Sequence, residues 1–114
     1  MQYTAIAKNL IGLKPGRIAM MNRTGLWSCQ AVDEMEKFAN VHLVTDAVKD
    51  HDCTKVDDPS KWNINPDASF WCVCTNETVN GIEFDWDVFP FDKVPKDCPI
   101  ICDMSSNIGT NVIP

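Results

Sequence analysis

The sequence predicts an α/β domain built on a mainly parallel β-sheet, and two observations support this. A segment with helical spacing lies between two short apolar segments, and a strand, helix, strand order favours parallel strands. Two further apolar runs, ASFWCVCT and CPIIC, both end in polar residues. Such runs are typical of strands covered on both faces. The 114 residues suffice for one modest domain.

The first half of the chain is predicted to supply two helices and two strands. Residues 3–13 place apolar side chains at helical spacing and end at the breaker Lys14-Pro15-Gly16. Residues 18–21 and 41–44 are short apolar strand candidates on either side of the second helix. These two strands are therefore expected to pair in parallel.

The second helix has its own start signals. Ser28 is predicted as the N-cap, and Trp27 before it is predicted to pack on Val32 as a hydrophobic staple. Val32, Met35 and Phe38 then mark one apolar face over about three turns.

The second half of the chain places polar groups after strands. Residues 45–67 are polar and are predicted to form a surface connection, whereas residues 68–75 and 98–102 are predicted as buried strands. The second of these strands is followed at once by Asp103. Because ligands of α/β sheets bind at the carboxyl ends of the strands, this acid is a candidate site residue.

Charge and hydropathy exclude some function classes. The net charge of −6 and the absence of a lysine or arginine cluster disfavour nucleic-acid binding. No apolar run reaches the length of a membrane span, and the first residues lack the pattern of a signal peptide. We therefore expect a cytoplasmic protein that does not bind membranes.

Six cysteines support an alternative, a secreted disulfide-rich glycoprotein module that binds a partner without catalysis. The glycosylation motifs at Asn22 and Asn76 agree weakly with it. Against it, most of the cysteines lie in or beside apolar runs, where a reduced thiol packs as a small apolar side chain. Their spacing does not match the common zinc motifs, so no metal site is predicted.

The position of Asp103 allows two interpretations. A carboxylate partly shielded from water at a strand end needs a cationic partner, and a bound cofactor with a protonated ring nitrogen is one such partner. Alternatively, Asp103 caps the following turn by accepting hydrogen bonds from backbone N–H groups. The residues alone leave both interpretations open.

Five blocks of the sequence resemble phosphoserine aminotransferases, which are fold-type I pyridoxal phosphate enzymes. The blocks are NLIGLKPG, TGLWS, WNINPDASF, NETVNGIEF and CDMSSN, and they occur in the order of that family. The resemblance implies that residues 1–114 form part of the cofactor-binding large domain, a three-layer α/β/α unit. The small C-terminal domain of the family is not matched.

The resemblance implies pyridoxal 5′-phosphate as cofactor and assigns three binding residues. Asp103 matches the aspartate that pairs with the pyridine nitrogen, Thr78 a threonine that contacts the cofactor, and Trp27 a tryptophan that stacks on the ring. For Thr78 and Trp27 the alternatives are a turn residue and the helix staple.

The implied reaction transfers the amino group of L-glutamate to 3-phosphohydroxypyruvate, giving O-phospho-L-serine and 2-oxoglutarate, in a homodimeric enzyme. The family's Schiff-base lysine follows the block that contains Asp103, and no lysine of this chain matches it. No catalytic residue is therefore assigned, and the chain alone is expected to be inactive.

The sequence departs from the family pattern at two further places. Asn22 and Arg23 lie in an expected strand, and an aromatic segment at 85–98 exposes Trp86, Phe89 and Phe91 unless it folds back.

Overall fold

A computed structural model describes residues 2–114 as three α-helices, six strands and short 3-10 turns. The helices are α1 (Gln2–Leu10), α2 (Leu26–Met35) and α3 (Ala47–His51). The strands are β1 (Ile18–Arg23), β2 (Asn40–Asp46), β3 (Phe70–Cys74), β4 (Asn76–Glu77), β5 (Ile82–Glu83) and β6 (Ile100–Asp103). Each long strand predicted from the sequence is present.

Four strands form one parallel sheet in the order β2, β1, β3, β6. The short strands β4 and β5 form an antiparallel hairpin directly after β3. The prediction of an α/β fold with a mainly parallel sheet is therefore confirmed. In the register of β3 and β6, Asp103 lies beside Cys74, which brings it to the carboxyl edge where the hairpin begins.

Helices α1 and α2 cover one face of the sheet. Ala7 of α1 and Val32 of α2 are buried there against Met21, Phe70 and other strand side chains. The predicted helix at 3–13 corresponds to α1 and the 3-10 turn Ile11–Leu13 that follows it. No helix within residues 2–114 has the length and apolar character needed to cross a membrane.

The start of α2 differs from the prediction. The helix begins at Leu26 with Gly25 as its N-cap, so Ser28 lies in the first turn and is not the N-cap. Its hydroxyl oxygen instead accepts hydrogen bonds from the backbone N–H groups of Thr24 (2.7 Å) and Gly25 (3.0 Å). Trp27 is also inside the helix, and it therefore does not precede the helix as a staple residue would.

Aromatic side chains from two loops cover the other face of the sheet. Trp62 packs edge-on against Trp71, Phe84 and Phe89, with ring centroids 5.8–6.0 Å apart. Residues 45–67 are therefore more than a surface connection: they include the end of β2, helix α3 and this packed indole.

The aromatic segment at 85–98 folds back onto the same face. Phe89 is buried, and Trp86 is half-buried against it. Phe91 is exposed, but its ring stacks on Trp86 with centroids 6.1 Å apart. This packing lets the chain carry the extra aromatic residues without leaving all of them in water.

The two unexpected residues at the end of β1 both have partners. The buried side chain of Asn22 accepts a hydrogen bond from the indole N–H of Trp71 at 2.6 Å. Arg23 makes two hydrogen bonds to Asp46 at the end of β2, at 2.9 and 2.5 Å. These contacts tie β1 to both neighbouring strands at the carboxyl edge.

Candidate functional site

A cavity of about 330 Å³ opens at the carboxyl edge of the sheet. The lining residues are Trp27, Cys74, Asn76, Thr78, Asp103, Ser105 and Ser106. The structure thus brings together all three residues singled out from the sequence. They come from three separate elements: the first turn of α2, the turn between β4 and β5, and the end of β6.

The indole of Trp27 is held by a hydrogen bond to Thr78. Its Nε1–H donates to the Thr78 hydroxyl oxygen at 2.8 Å, and the side chain remains 41% exposed. Thr78 is therefore a turn residue, as the alternative proposed, and also a cavity residue. An exposed aromatic face fixed in this way can stack on a planar ligand. Such stacking contributes about 0.5–1.5 kcal/mol of binding free energy beyond that of the buried area.

Asp103 is half-buried and accepts hydrogen bonds on both carboxylate oxygens. Ser105 donates its backbone N–H (3.1 Å) and its hydroxyl (2.5 Å) to Oδ1, and the Tyr3 hydroxyl donates to Oδ2 at 2.5 Å. Burial acts to raise the pKa of Asp103, but the hydrogen bonds from Ser105 and Tyr3 outweigh it and hold the pKa below its usual value.

The two interpretations of Asp103 are compatible in the structure. The bond from the Ser105 N–H is the turn cap that the alternative proposed. Yet the same side chain also lines the cavity with Trp27 and Thr78. Within residues 2–114, Asp103 forms no ion pair with a lysine, arginine or histidine, so its charge is balanced only by neutral donors.

A buried glutamate that the sequence analysis missed positions this site. Glu77 is fully buried, and its Oε2 and Oε1 accept the backbone N–H groups of Trp27 and Ser28, each at 2.9 Å. Thr24 adds a weaker hydroxyl bond at 3.3 Å. The carboxylate thereby satisfies N–H groups that the first turn of a helix leaves unpaired, and it lies at the favourable end of the helix dipole.

The turn between β4 and β5 completes this cap and explains Gly25. The side-chain oxygen of Asn80 accepts the backbone N–H of Leu26 at 2.8 Å. A Cβ at Gly25 would lie 2.4 Å from that oxygen and 2.8 Å from Cδ of Glu77. Only glycine therefore allows the turn to approach the helix this closely. The sequence did contain a signal for these residues. Gly25 lies near Trp27 in TGLWS, and Glu77 and Asn80 lie on either side of Thr78 in NETVN.

A second group of polar residues, of which Thr75 and Asn107 are buried, fixes the segment that follows Asp103. The hydroxyl of Thr75 donates to the side-chain oxygen of Asn107 at 2.7 Å, and the amide of Asn107 donates to Glu83 at 2.9 Å. The backbone N–H of Thr75 also donates to the carbonyl of Asp103 at 3.0 Å. These bonds join the ends of β3, β5 and β6.

The groups that line the cavity suit an aromatic ring that carries a protonated nitrogen. The cavity presents an indole face, a hydroxyl and a carboxylate with no basic partner in the described chain. A cationic ring nitrogen beside Asp103 would supply the missing positive charge. Within residues 2–114, no group of three or more histidine, cysteine, aspartate or glutamate side chains is arranged to hold a metal ion. All six cysteines are free thiols, which does not support the disulfide framework of the alternative.

Comparisons with known proteins show which family this chain resembles. The model of the family described as "Aminotransferase class-V" matches residues 1–113. The chain is 40% identical to a phosphoserine aminotransferase of Herminiimonas arsenicoxydans, over 95% of this chain and 30% of that protein. It is 38% identical to the phosphoserine aminotransferase of Drosophila melanogaster, over 93% of this chain and 27% of that protein.

Solved structures show the same fold. The phosphoserine aminotransferase from Bacillus circulans subsp. alkalophilus superposes with a TM-score of 0.83 at 25% identity, over 99% of this chain and 29% of that one. The pyridoxal phosphate-bound enzyme from Trichomonas vaginalis gives a TM-score of 0.78 at 32% identity, over 99% and 30%. The chain therefore spans about three tenths of the length of the proteins it matches.

Proposed function

The chain belongs to the class-V aminotransferase family, and we propose that it forms the part of a phosphoserine aminotransferase that holds the ring of pyridoxal 5′-phosphate. The observation that carries this proposal is the cavity that places Asp103 beside Trp27 and Thr78. When bound, the cofactor supplies an aldehyde that accepts an amino group and a ring that withdraws electrons from the substrate.

Each of the three residues has a separate task in the proposal. The carboxylate of Asp103 faces the ring nitrogen and keeps it protonated, since the low pKa of this acid keeps the side chain anionic near neutral pH. The indole of Trp27 stacks on the ring and fixes its plane. Thr78 orients that indole through its hydroxyl and contacts the cofactor with the same group.

The names of the relatives support a proposal for the reaction of the whole enzyme. We propose amino transfer from L-glutamate to 3-phosphohydroxypyruvate, which yields 2-oxoglutarate and O-phospho-L-serine. A homodimeric enzyme in the cytoplasm is part of the same proposal, and the six free thiols suit a reducing compartment. No residue of this chain is assigned as the base that moves the proton, because no lysine is among the described residues that line the cavity.

Binding of two cofactor forms tests the ring assignment. Affinities of the wild-type chain and of Asp103→Asn are measured for pyridoxal 5′-phosphate and for its 1-deaza analogue, which lacks the ring nitrogen. We expect the wild type to prefer the natural cofactor about tenfold, and the variant to lose this preference, because only the ring nitrogen contacts the carboxylate. Asp33→Asn, which removes an exposed acid on α2, is the matched charge control and keeps the preference.

Equal binding of both forms by the wild type would overturn the assignment of Asp103. A preference that survives in Asp103→Asn would move the nitrogen contact to another residue. For the chain alone we expect no glutamate-dependent formation of phosphoserine, measured with 3-phosphohydroxypyruvate in the presence of the cofactor. Sustained turnover would show that a residue of this chain performs the proton transfer after all.

A further inference from the structure

The carboxylate of Asp103 is held from two distant parts of the chain. Its Oδ1 is bound by Ser105, two residues away, in a local turn. Its Oδ2 is bound by the hydroxyl of Tyr3, 100 residues away in α1. Among the donors within residues 2–114, only Tyr3 binds Oδ2, so its bond decides how the second oxygen is oriented.

Tyr3 reaches Asp103 from outside the proposed cofactor cavity. A second cavity of about 260 Å³ lies beside α1 and is lined by Tyr3, Ile6 and Asp103, among others. Asp103 and Ser105 line both cavities, whereas Tyr3 does not line the one that contains Trp27. The phenol therefore supports the carboxylate and leaves the wall that faces Trp27 and Thr78 free for a ligand.

The surroundings of this hydrogen bond make Tyr3 the donor and Asp103 the acceptor. Burial, and then the bond to Asp103, raise the pKa of Tyr3 far above its usual value, so the phenol stays protonated and can donate. The neighbouring thiols of Cys72 and Cys74 are neutral as well, since burial raises the pKa of each to about 12. Within residues 2–114 no basic side chain pairs with Asp103.

We propose that Tyr3 is a positioning residue whose hydroxyl holds Oδ2 of Asp103 and fixes the orientation in which the carboxylate faces the cavity beside Trp27 and Thr78. The role in cofactor binding rests on the proposed function, because the ring nitrogen is the group that the oriented carboxylate meets. Tyr3 itself contacts no ligand in this arrangement. It acts through Asp103, and α1 thereby becomes part of the site.

Two single-group variants on the same helix separate positioning from general stability. Tyr3→Phe removes only the phenol oxygen at the site. Thr4→Val removes a hydroxyl from the next residue of α1, where Thr4 donates to Glu34 at 2.6 Å, away from Asp103. Both variants lose one hydrogen bond to a carboxylate, so they serve as a matched pair.

The first readout needs no cofactor. The side-chain carboxyl carbon of Asp103 is followed by NMR during an acid titration of the folded chain. We expect Tyr3→Phe to raise the pKa of Asp103, because a donor to the ionised form is lost, and Thr4→Val to leave it unchanged. An unchanged pKa in Tyr3→Phe, or equal shifts in both variants, would overturn the proposal.

The second readout is the affinity for pyridoxal 5′-phosphate. We expect Tyr3→Phe to weaken binding about three- to tenfold, since the carboxylate must then be ordered on binding, and Thr4→Val to bind as the wild type does. Wild-type affinity in Tyr3→Phe would overturn the role in cofactor binding. If the wild type shows no preference for the cofactor over its 1-deaza analogue, the proposed function fails, while the titration still decides whether Tyr3 holds Asp103.

Discussion

Replacing Glu77 should damage the fold and the cofactor site together, because this one buried side chain accepts N–H groups of both Trp27 and Ser28. In Glu77→Gln, the amide group must turn its NH₂ toward one of these two N–H donors. One buried donor then has no acceptor, which costs about 1–3 kcal/mol. Glu77→Ala removes both acceptors and leaves a void, which raises the cost to about 3–5 kcal/mol.

These costs are large against the total stability of a domain, which is about 5–15 kcal/mol. Urea unfolding followed by circular dichroism measures them, with the midpoint and slope both fitted. Glu36→Gln is the control, because Glu36 is an exposed acid at the other end of the same helix and should change stability by less than about 0.5 kcal/mol. If Glu77→Gln matches this control, the capping argument is wrong. Should Glu77→Ala fail to fold, the glutamine variant still decides the question.

Three further predictions concern other parts of the fold. Gly25→Ala should lower stability by about 1–3 kcal/mol, because its Cβ would lie 2.4 Å from the side-chain oxygen of Asn80. In thermal unfolding, the control Gly12→Ala should not lower stability, because its Cβ would have no neighbour within 4 Å. Arg23 holds the pKa of Asp46 below its usual value, so Asp46→Asn should cost about 1 kcal/mol of stability at pH 7. In urea unfolding, the difference in stability between the wild type and this variant should become smaller as the pH falls toward 3, because Asp46 then becomes protonated. Burial raises the pKa of Cys72 to about 12, so this thiol should resist alkylation at pH 8 in the native chain, and mass spectrometry should find six alkylated cysteines in denaturant.

The parts of the fold that the sequence predicted are those with local patterns. Strand β3, Phe70–Cys74, is apolar throughout because it is covered on both faces, so its burial was evident from composition alone. The strand, helix, strand order likewise predicted the parallel pairing of β1 with β2. Asp103 was singled out by its position at the end of a predicted strand, and Trp27 and Thr78 by a resemblance; the structure places all three around one cavity.

The parts that were missed depend on contacts between residues far apart in the chain. The start of α2 was misplaced because local rules favour serine as an N-cap, whereas the real acceptor for Ser28 N–H is Glu77, 49 residues later. The bond between Tyr3 and Asp103 spans 100 residues and has no local signature at all. The partners in each pair lie far apart in the sequence, so only the folded sheet edge brings them together.

The two positioning residues should therefore separate stability from site geometry when they are compared. Glu77 binds backbone N–H groups of α2, so its loss shifts Trp27 only by loosening the helix that carries it. Tyr3 binds a single side-chain oxygen, and Tyr3→Phe leaves every backbone hydrogen bond intact. This variant should therefore lower stability near neutral pH only through the raised pKa of Asp103, by about 1.4 kcal/mol per pH unit of that shift. A plot of cofactor affinity against unfolding free energy should thus place Tyr3→Phe below the line that joins the wild type to Glu77→Gln. If the wild type and both variants fall on one line, cofactor affinity follows stability alone, and the separate positioning role of Tyr3 is wrong.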